Sequence, residues 1–195
     1  RTYQTETAWE WEHLALTRAR PVAGNPELSA EIEAFRGAIV QKTRDADVLL
    51  QDVRDMRVRL ADAADRARVA DIWETKLGPG RMLDIEIVAQ TAALLAGTQD
   101  REVLAQLTAG QGIGWIRADE LEKMRSTYIR LRRIQQIGRL LVEGPLVPDN
   151  LGAGGCALLL GENKSDNLEQ LKSDLTTSSD TTNPLIDTLF GRLPA

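Results

Sequence analysis

The chain has 195 residues, 43% hydrophobic and 27% charged, proportions that belong to a folded protein and exclude wholesale disorder. Its 24 Lys and Arg stand against 29 Asp and Glu, a formal charge of -5. That balance argues against nucleic acid as a partner, because phosphate binding shows as a basic excess. One cysteine excludes an internal disulfide, one histidine excludes a multi-histidine metal cluster, and no apolar run approaches the ~20 residues of a membrane span.

The pattern is helical nearly throughout. Residues 7–20 predict a helix with Trp9, His13 and Leu16 on one stripe, ended by Pro21. Asn25-Pro26-Glu27 supplies a cap, a first-turn proline and an acid at the positive end of the dipole. The helix that follows runs to about Val40, with Leu28, Ile32, Phe35 and Ile39 as its apolar face. Leu49, Val53, Met56, Leu60, Ala63, Ala67 and Ala70 recur in steps of four and three and predict one long amphipathic helix.

Gly78, Pro79 and Gly80 break the pattern within residues 73–81. Helix resumes over 83–96 with Leu83, Ile87, Leu94 and Leu95 inward, and a short helix over 100–109 ends at Gly110, Gly112 and Gly114. Residues 117–143 predict the longest helix, with Leu121, Met124, Tyr128, Leu131 and Ile134 as its stripe. A surface connection over 144–155 precedes weaker helical signals, and the run from Thr176 to Pro184 is expected to fray or kink the last helix. No stretch alternates with period two long enough to build a sheet. The fold class is all-α, a helical bundle of about six to eight helices with a Gly/Pro-rich loop between Lys76 and Arg81.

Familiar catalytic patterns fail. Cys156 sits among Ala157, Leu158 and Leu159 and reads as a structural thiol, while His13 lacks a nucleophile to activate. The glycine runs near Gly78, Gly110 and Gly152 lack the lysine-serine ending of a P-loop. Asp45-Ala46-Asp47 has the D-x-D form that holds metals in nucleotidyl transfer, but it opens an amphipathic helix, where capping explains both acids. Two clusters remain. Arg18 and Arg20 end the first predicted helix, where the dipole favours cations and where they could also reach a neighbouring anion. Lys76, the glycine loop with Arg81, then Asp84, Glu86 and Gln90 form the other, with first-turn acids as the plain structural reading.

Three stretches, AWEWEHLALTRARPVAGN (8–25), VRDMRVRL (53–60) and KLGPGRMLDIEIVAQ (76–90), occur in the order and separation seen in the glutamine synthetase adenylyltransferase family, which the chain resembles. The resemblance implies a parent enzyme with two nucleotidyltransferase units, one attaching AMP to glutamine synthetase and one removing it, using ATP and magnesium. The W-x-W-E-H form is more similar to the carboxyl-terminal, adenylylating unit. By that resemblance residues 1–24 connect to a preceding nucleotidyltransferase domain, 25–143 form the main bundle, and 144–195 pack on it. The glycine-serine element and strand-borne D-x-D of the catalytic domain do not occur in a suitable context, so they are expected upstream of Arg1 and the chain is expected to be inactive alone. Arg18 and Arg20 match the family's A-L-x-R-A-R, and Lys76, Asp84, Glu86 and Gln90 match its K-loop-D-I-E-x-x-x-Q. These residues, with Arg81, are expected to face the nucleotide cleft, with Lys76 near phosphate. Arg81 stands where the family has a second glycine, and Ile87 where it has an aromatic. Glutamine synthetase and a PII-type signalling protein are the implied partners and the cytoplasm the implied compartment. No protein ligand for a metal is expected in this stretch. The alternative is a non-catalytic module that docks either partner.

Overall fold

The computed structural model describes residues 2–194, and among them there are helices and no β-strand, so the all-α class holds. The chain divides into two compact units. One comprises Arg1–Arg59, Glu86–Leu121 and Thr188–Ala195; the other comprises Leu60–Ile85 and Glu122–Asp187.

The first unit begins with a departure from the predicted first helix. A π-helical turn at Tyr3–Thr7 and a 3-10 turn at Glu10–Glu12 precede a short helix α1, His13–Leu16. Ala8 and Trp9 between them are extended, at ψ 140 and 148. Side chains hold this break: Tyr3 Oη donates to both carboxylate oxygens of Glu12, and His13 Nε2 lies 2.9 Å from Gln4 O. These contacts replace the i to i−4 bonds that the periodicity alone favours.

Helix α2, Pro26–Val40, starts as predicted: Asn25 Oδ1 accepts from Glu27 N at 2.7 Å and Leu28 N at 3.3 Å. Its buried face differs from the predicted stripe. Leu28 and Ile32 are exposed, whereas Arg36, Gly37, Ile39 and Val40 are buried. Helix α3, Ala46–Ala63, opens on the Asp45 cap, whose Oδ1 accepts from Asp47 N and Val48 N, which confirms the capping reading of D-x-D. Leu49, Leu50 and Val53 are buried, and Val58 and Leu60 are exposed. The long predicted seam stops at Ala63, because Asp65 captures Ala67 N and Arg68 N and restarts the chain as α4, Arg66–Ala70.

Helix α5, Met82–Ala96, buries Ile87, Val88, Ala89, Ala92, Ala93 and Leu94. Helix α6, Val103–Gly112, packs closely on it: a Cβ at Gly110 would lie 2.8 Å from Ala92 Cβ. Trp115, fully buried, meets the Phe190 ring edge-on at 5.8 Å, and its Nε1 donates to Arg192 O.

In the second unit, helix α7, Ala118–Leu141, buries Met124, Tyr128, Leu131 and Ile134 as its stripe predicts. A 3-10 turn at Pro148–Asn150 leads to α8, Ala153–Asn163, and α9, Leu168–Phe190, follows. The fraying expected of the run from Thr176 to Pro184 does not occur, since α9 continues through Pro184. Its hydroxyls have partners that keep the polar run helical. Thr176 and Thr181 donate to the carbonyls of Lys172 and Thr177, and fully buried Thr182 shares a hydrogen bond with Thr127 at 3.1 Å. Leu171, Leu175 and Ile186 are buried on the same face as Thr182, and that packing outweighs the cost of the proline.

Candidate functional site

The cationic end of α1 belongs to the first unit. Arg18 and Arg20 follow α1, which ends at Leu16 rather than at the predicted Arg20, and among the described residues no turn or loop N–H donates to the Thr17 carbonyl there. Arg36, buried on α2, fills the gap. Its Nη2 donates to Thr17 O at 2.7 Å and Gln99 O at 3.1 Å, and its Nε donates to Leu16 O at 2.7 Å. Arg101 Nε holds Ala19 O at 2.9 Å and pairs through Nη2 with Glu33. Two arginines therefore grip three carbonyls in the stretch from Leu16 to Ala19. Burial, followed by the nearby Arg101 charge, lowers the Arg36 pKa from its ordinary value; a guanidinium nonetheless stays charged.

The residues between those carbonyls face outward. Arg18 Nη1 lies 3.1 Å from Glu86 Oε2 on α5, with the arginine 44% exposed and the glutamate 12%. The structure thus brings together two residues that the sequence singled out in separate clusters. Arg20 is exposed and has no hydrogen bond or ion pair to the described residues. Gln90, half-buried, stands one turn after Glu86 on α5.

The lysine loop belongs to the second unit. Glu74 organises it from below: its Oε1 accepts Lys76 N at 2.9 Å and Leu77 N at 3.1 Å, and its Oε2 pairs with Arg68. Burial pushes the Glu74 pKa up, but Arg68 and the two amides outweigh it and the net shift is downward. Arg81 is turned into the loop. Its Nη1 donates to the carbonyls of Asp71, Glu74 and Leu77 at 2.9, 2.7 and 3.0 Å, and its side chain is buried. Asp84 Oδ2 accepts Gly80 N at 2.9 Å, and Leu83 N donates to Lys76 O at 3.0 Å. Gly80, at φ +69, lies so close to α9 that a Cβ there would sit 2.5 Å from Ser179 O. The Lys76 side chain alone projects from this braced loop, exposed and without an ion pair to the described residues.

Of the seven predicted site residues, then, Arg18 pairs with Glu86, Gln90 follows on the same helix, and Arg81 and Asp84 brace the loop that carries Lys76. Sequence reasoning missed Arg36, Arg101 and Glu74. The available signal for Arg36 was a cation placed between Phe35 and Ile39, inside the apolar register of its helix. Among the described residues no group of three His, Cys, Asp or Glu could hold a metal ion, and no helix is long and apolar enough to cross a membrane.

The fold and these two elements define an all-α domain that presents individual cations from braced backbone. Residues 1–35 match the profile of the family described as glutamate-ammonia ligase adenylyltransferase. The chain is also similar to the bifunctional glutamine synthetase adenylyltransferase/adenylyl-removing enzyme of Rhizobium meliloti strain 1021, with 34% identity over 183 residues, 89% of this chain and 18% of the relative. The corresponding enzyme of Rhodopseudomonas palustris strain BisB5 is 28% identical over 97% of this chain and 19% of its own length. That of Xanthobacter autotrophicus Py2 is 29% identical over 98% of this chain and 19% of its own. The chain is homologous to a segment of the glutamine synthetase adenylyltransferases and spans less than a fifth of the length of these relatives.

Proposed function

We propose that this chain is a helical accessory domain of a glutamine synthetase adenylyltransferase, an enzyme that transfers AMP from ATP to a tyrosine of glutamine synthetase. The observation that carries the reading is Lys76: one exposed ammonium on a loop whose other polar groups are tied inward. Held in that way, a lysine offers a fixed point charge to a polyphosphate and stabilises negative charge as pyrophosphate departs. Asp84 contributes by holding Gly80 N and so the shape of the loop. Arg81 stabilises the same loop from within, which removes it from the phosphate-facing set and leaves Lys76. Glu86 orients Arg18, and Arg20 extends toward the preceding nucleotidyltransferase domain of the longer enzyme, with Gln90 behind them. The resemblance makes ATP the nucleotide whose phosphates Lys76 meets. Magnesium belongs in this reading to that other domain, where the resemblance places the metal-binding aspartates.

The test compares AMP incorporation into glutamine synthetase by this chain and by a longer chain that includes the nucleotidyltransferase domain. The expected result is an inactive 195-residue chain and an active longer one. In the longer enzyme Lys76→Ala raises the KM for ATP or lowers kcat by about tenfold or more, the scale on which a single charge contact acts in phosphoryl and nucleotidyl transfer. Labelling by the short chain alone would refute the accessory role. Unchanged ATP affinity and turnover in Lys76→Ala would refute the role of the lysine.

A further inference from the structure

Helix α7 carries five arginines between Met124 and Leu141 and no Asp or Glu over the same stretch, in a chain whose acids outnumber its bases. Two of the five have partners. Arg130 Nη1 lies 3.8 Å from Asp174 Oδ2 and 3.4 Å from Ser178 Oγ, and Arg133 Nη1 donates to Glu162 O at 2.8 Å. The remaining three, Arg125, Arg132 and Arg139, are exposed and have no hydrogen bond or ion pair to the described residues.

Their spacing is regular. Seven residues make two turns less about 20°, so the three guanidinium stems lie in one narrow stripe, about 21 Å from first to last. Ile129, 37% exposed, and Leu140, 80% exposed, lie along one edge of the stripe, with exposed Gln136 between them and the arginines. A helix face that serves only solvation interleaves both signs and pairs them at i, i+4. Beyond Glu122, which stands three residues before Arg125, this face does neither.

We infer that the exposed face of α7 binds an acidic amphipathic helix of a partner protein. The charge selects the partner's sign, and the seven-residue repeat matches the repeat of a second helix laid along the first, as flanking charges do in paired helices. The apolar edge from Ile129 and Leu140 gives such a helix leucine-sized surface to cover, which a phosphate backbone does not need. The overall charge of -5 opposes nucleic acid. The inference stands apart from the accessory reading, since it concerns neither Lys76 nor ATP.

The probe is a fluorescein-labelled 21-residue helical peptide with glutamate at seven-residue intervals beside leucine, titrated with the chain and followed by anisotropy. Wild type is compared with Arg125→Glu/Arg132→Glu/Arg139→Glu and with the milder Arg125→Gln/Arg132→Gln/Arg139→Gln, each checked for helicity and thermal unfolding. The expected result is at least about tenfold weaker binding for the charge-reversed variant and an intermediate loss for the glutamine variant. A peptide with lysine in place of glutamate should recover affinity for the charge-reversed chain, and wild-type binding should weaken from 50 to 300 mM salt as charges are screened. Binding that neither triple variant changes would overturn the inference. So would tighter, arginine-dependent binding of a 20-nucleotide single strand or of phosphatidylglycerol vesicles, because the stripe would then be a phosphate site.

Discussion

Gly80 is the position where the loop that carries Lys76 is most tightly specified, and Gly80→Ala tests that directly. Two costs add. The backbone sits at φ +69, a left-handed conformation that costs a residue with a Cβ about 1 kcal/mol. The new Cβ would stand 2.5 Å from Ser179 O and 2.7 Å from Asn183 N, both backbone atoms of α9 that no rotamer change can remove. Relief requires the loop to withdraw by about half an ångström or more, with a packing loss of about 1–3 kcal/mol. The total is about 2–4 kcal/mol, a large fraction of the stability of a single domain. Urea unfolding followed by circular dichroism should show that loss, and calorimetry a drop in Tm of about 5–15 °C. Gly97→Ala is the control: its φ of +63 is nearly the same, and the nearest atom to its Cβ, Gln41 Cα, lies at an ordinary 3.7 Å. If the two variants lose the same stability, close approach to α9 is not what the glycine at position 80 provides.

Two further predictions concern the arginine contacts. Arg36→Met removes three charge-assisted hydrogen bonds to Leu16, Thr17 and Gln99 carbonyls while keeping most of the buried volume, and should cost about 2–4 kcal/mol by urea unfolding; an effect under about 0.5 kcal/mol would mean that water replaces the guanidinium without loss. Glu120 is buried, which pushes its pKa up, but Arg192, the Arg117 amide and the Arg117 charge outweigh burial and leave it below the ordinary 4.5. A carboxylate depressed in the folded state contributes stability that is present above 4.5 and lost as pH falls below it toward the folded value. Glu120→Gln should therefore be less stable than wild type at pH 7, with the two unfolding curves converging below pH 4.5; a gap that stays constant from pH 7 to pH 3 would refute the assignment.

Much of this fold was legible in the sequence where local chemistry and burial agree. Asn25-Pro26-Glu27 fixes the start of α2, Gly78 to Gly80 interrupt the chain, and the Met124 to Ile134 stripe becomes the buried face of α7. The misreadings share one cause, a side chain that answers a backbone group against the local pattern. Asp65 ends a periodicity that runs on to Ala70, and Tyr3 with His13 holds a break inside a predicted helix. Thr182 meets Thr127 and keeps α9 helical through a stretch whose composition favours fraying. None of these partners is near in sequence in a way that periodicity measures. The candidate site divides likewise: Arg18 and Glu86 were singled out and do meet, whereas Arg36 and Glu74, which hold the two elements in shape, carry no motif.

The arginines show how a residue type changes meaning with its surroundings. Arg36 and Arg81 are buried, and each meets three backbone carbonyls at helix termini and loop turns. Arg36 uses two nitrogens, Nε and Nη2, to reach its three carbonyls, a span that the single ammonium of a lysine does not cover. Their substitution should therefore read out as stability. Arg20, Arg125, Arg132 and Arg139 meet nothing within the described chain, so their removal should leave folding intact and read out only in binding or turnover. From sequence the two groups look alike, because both lie at ordinary helical positions. What separates them is whether backbone carbonyls lie within reach, as those of Leu16, Thr17 and Gln99 do for Arg36 and those of Asp71, Glu74 and Leu77 do for Arg81.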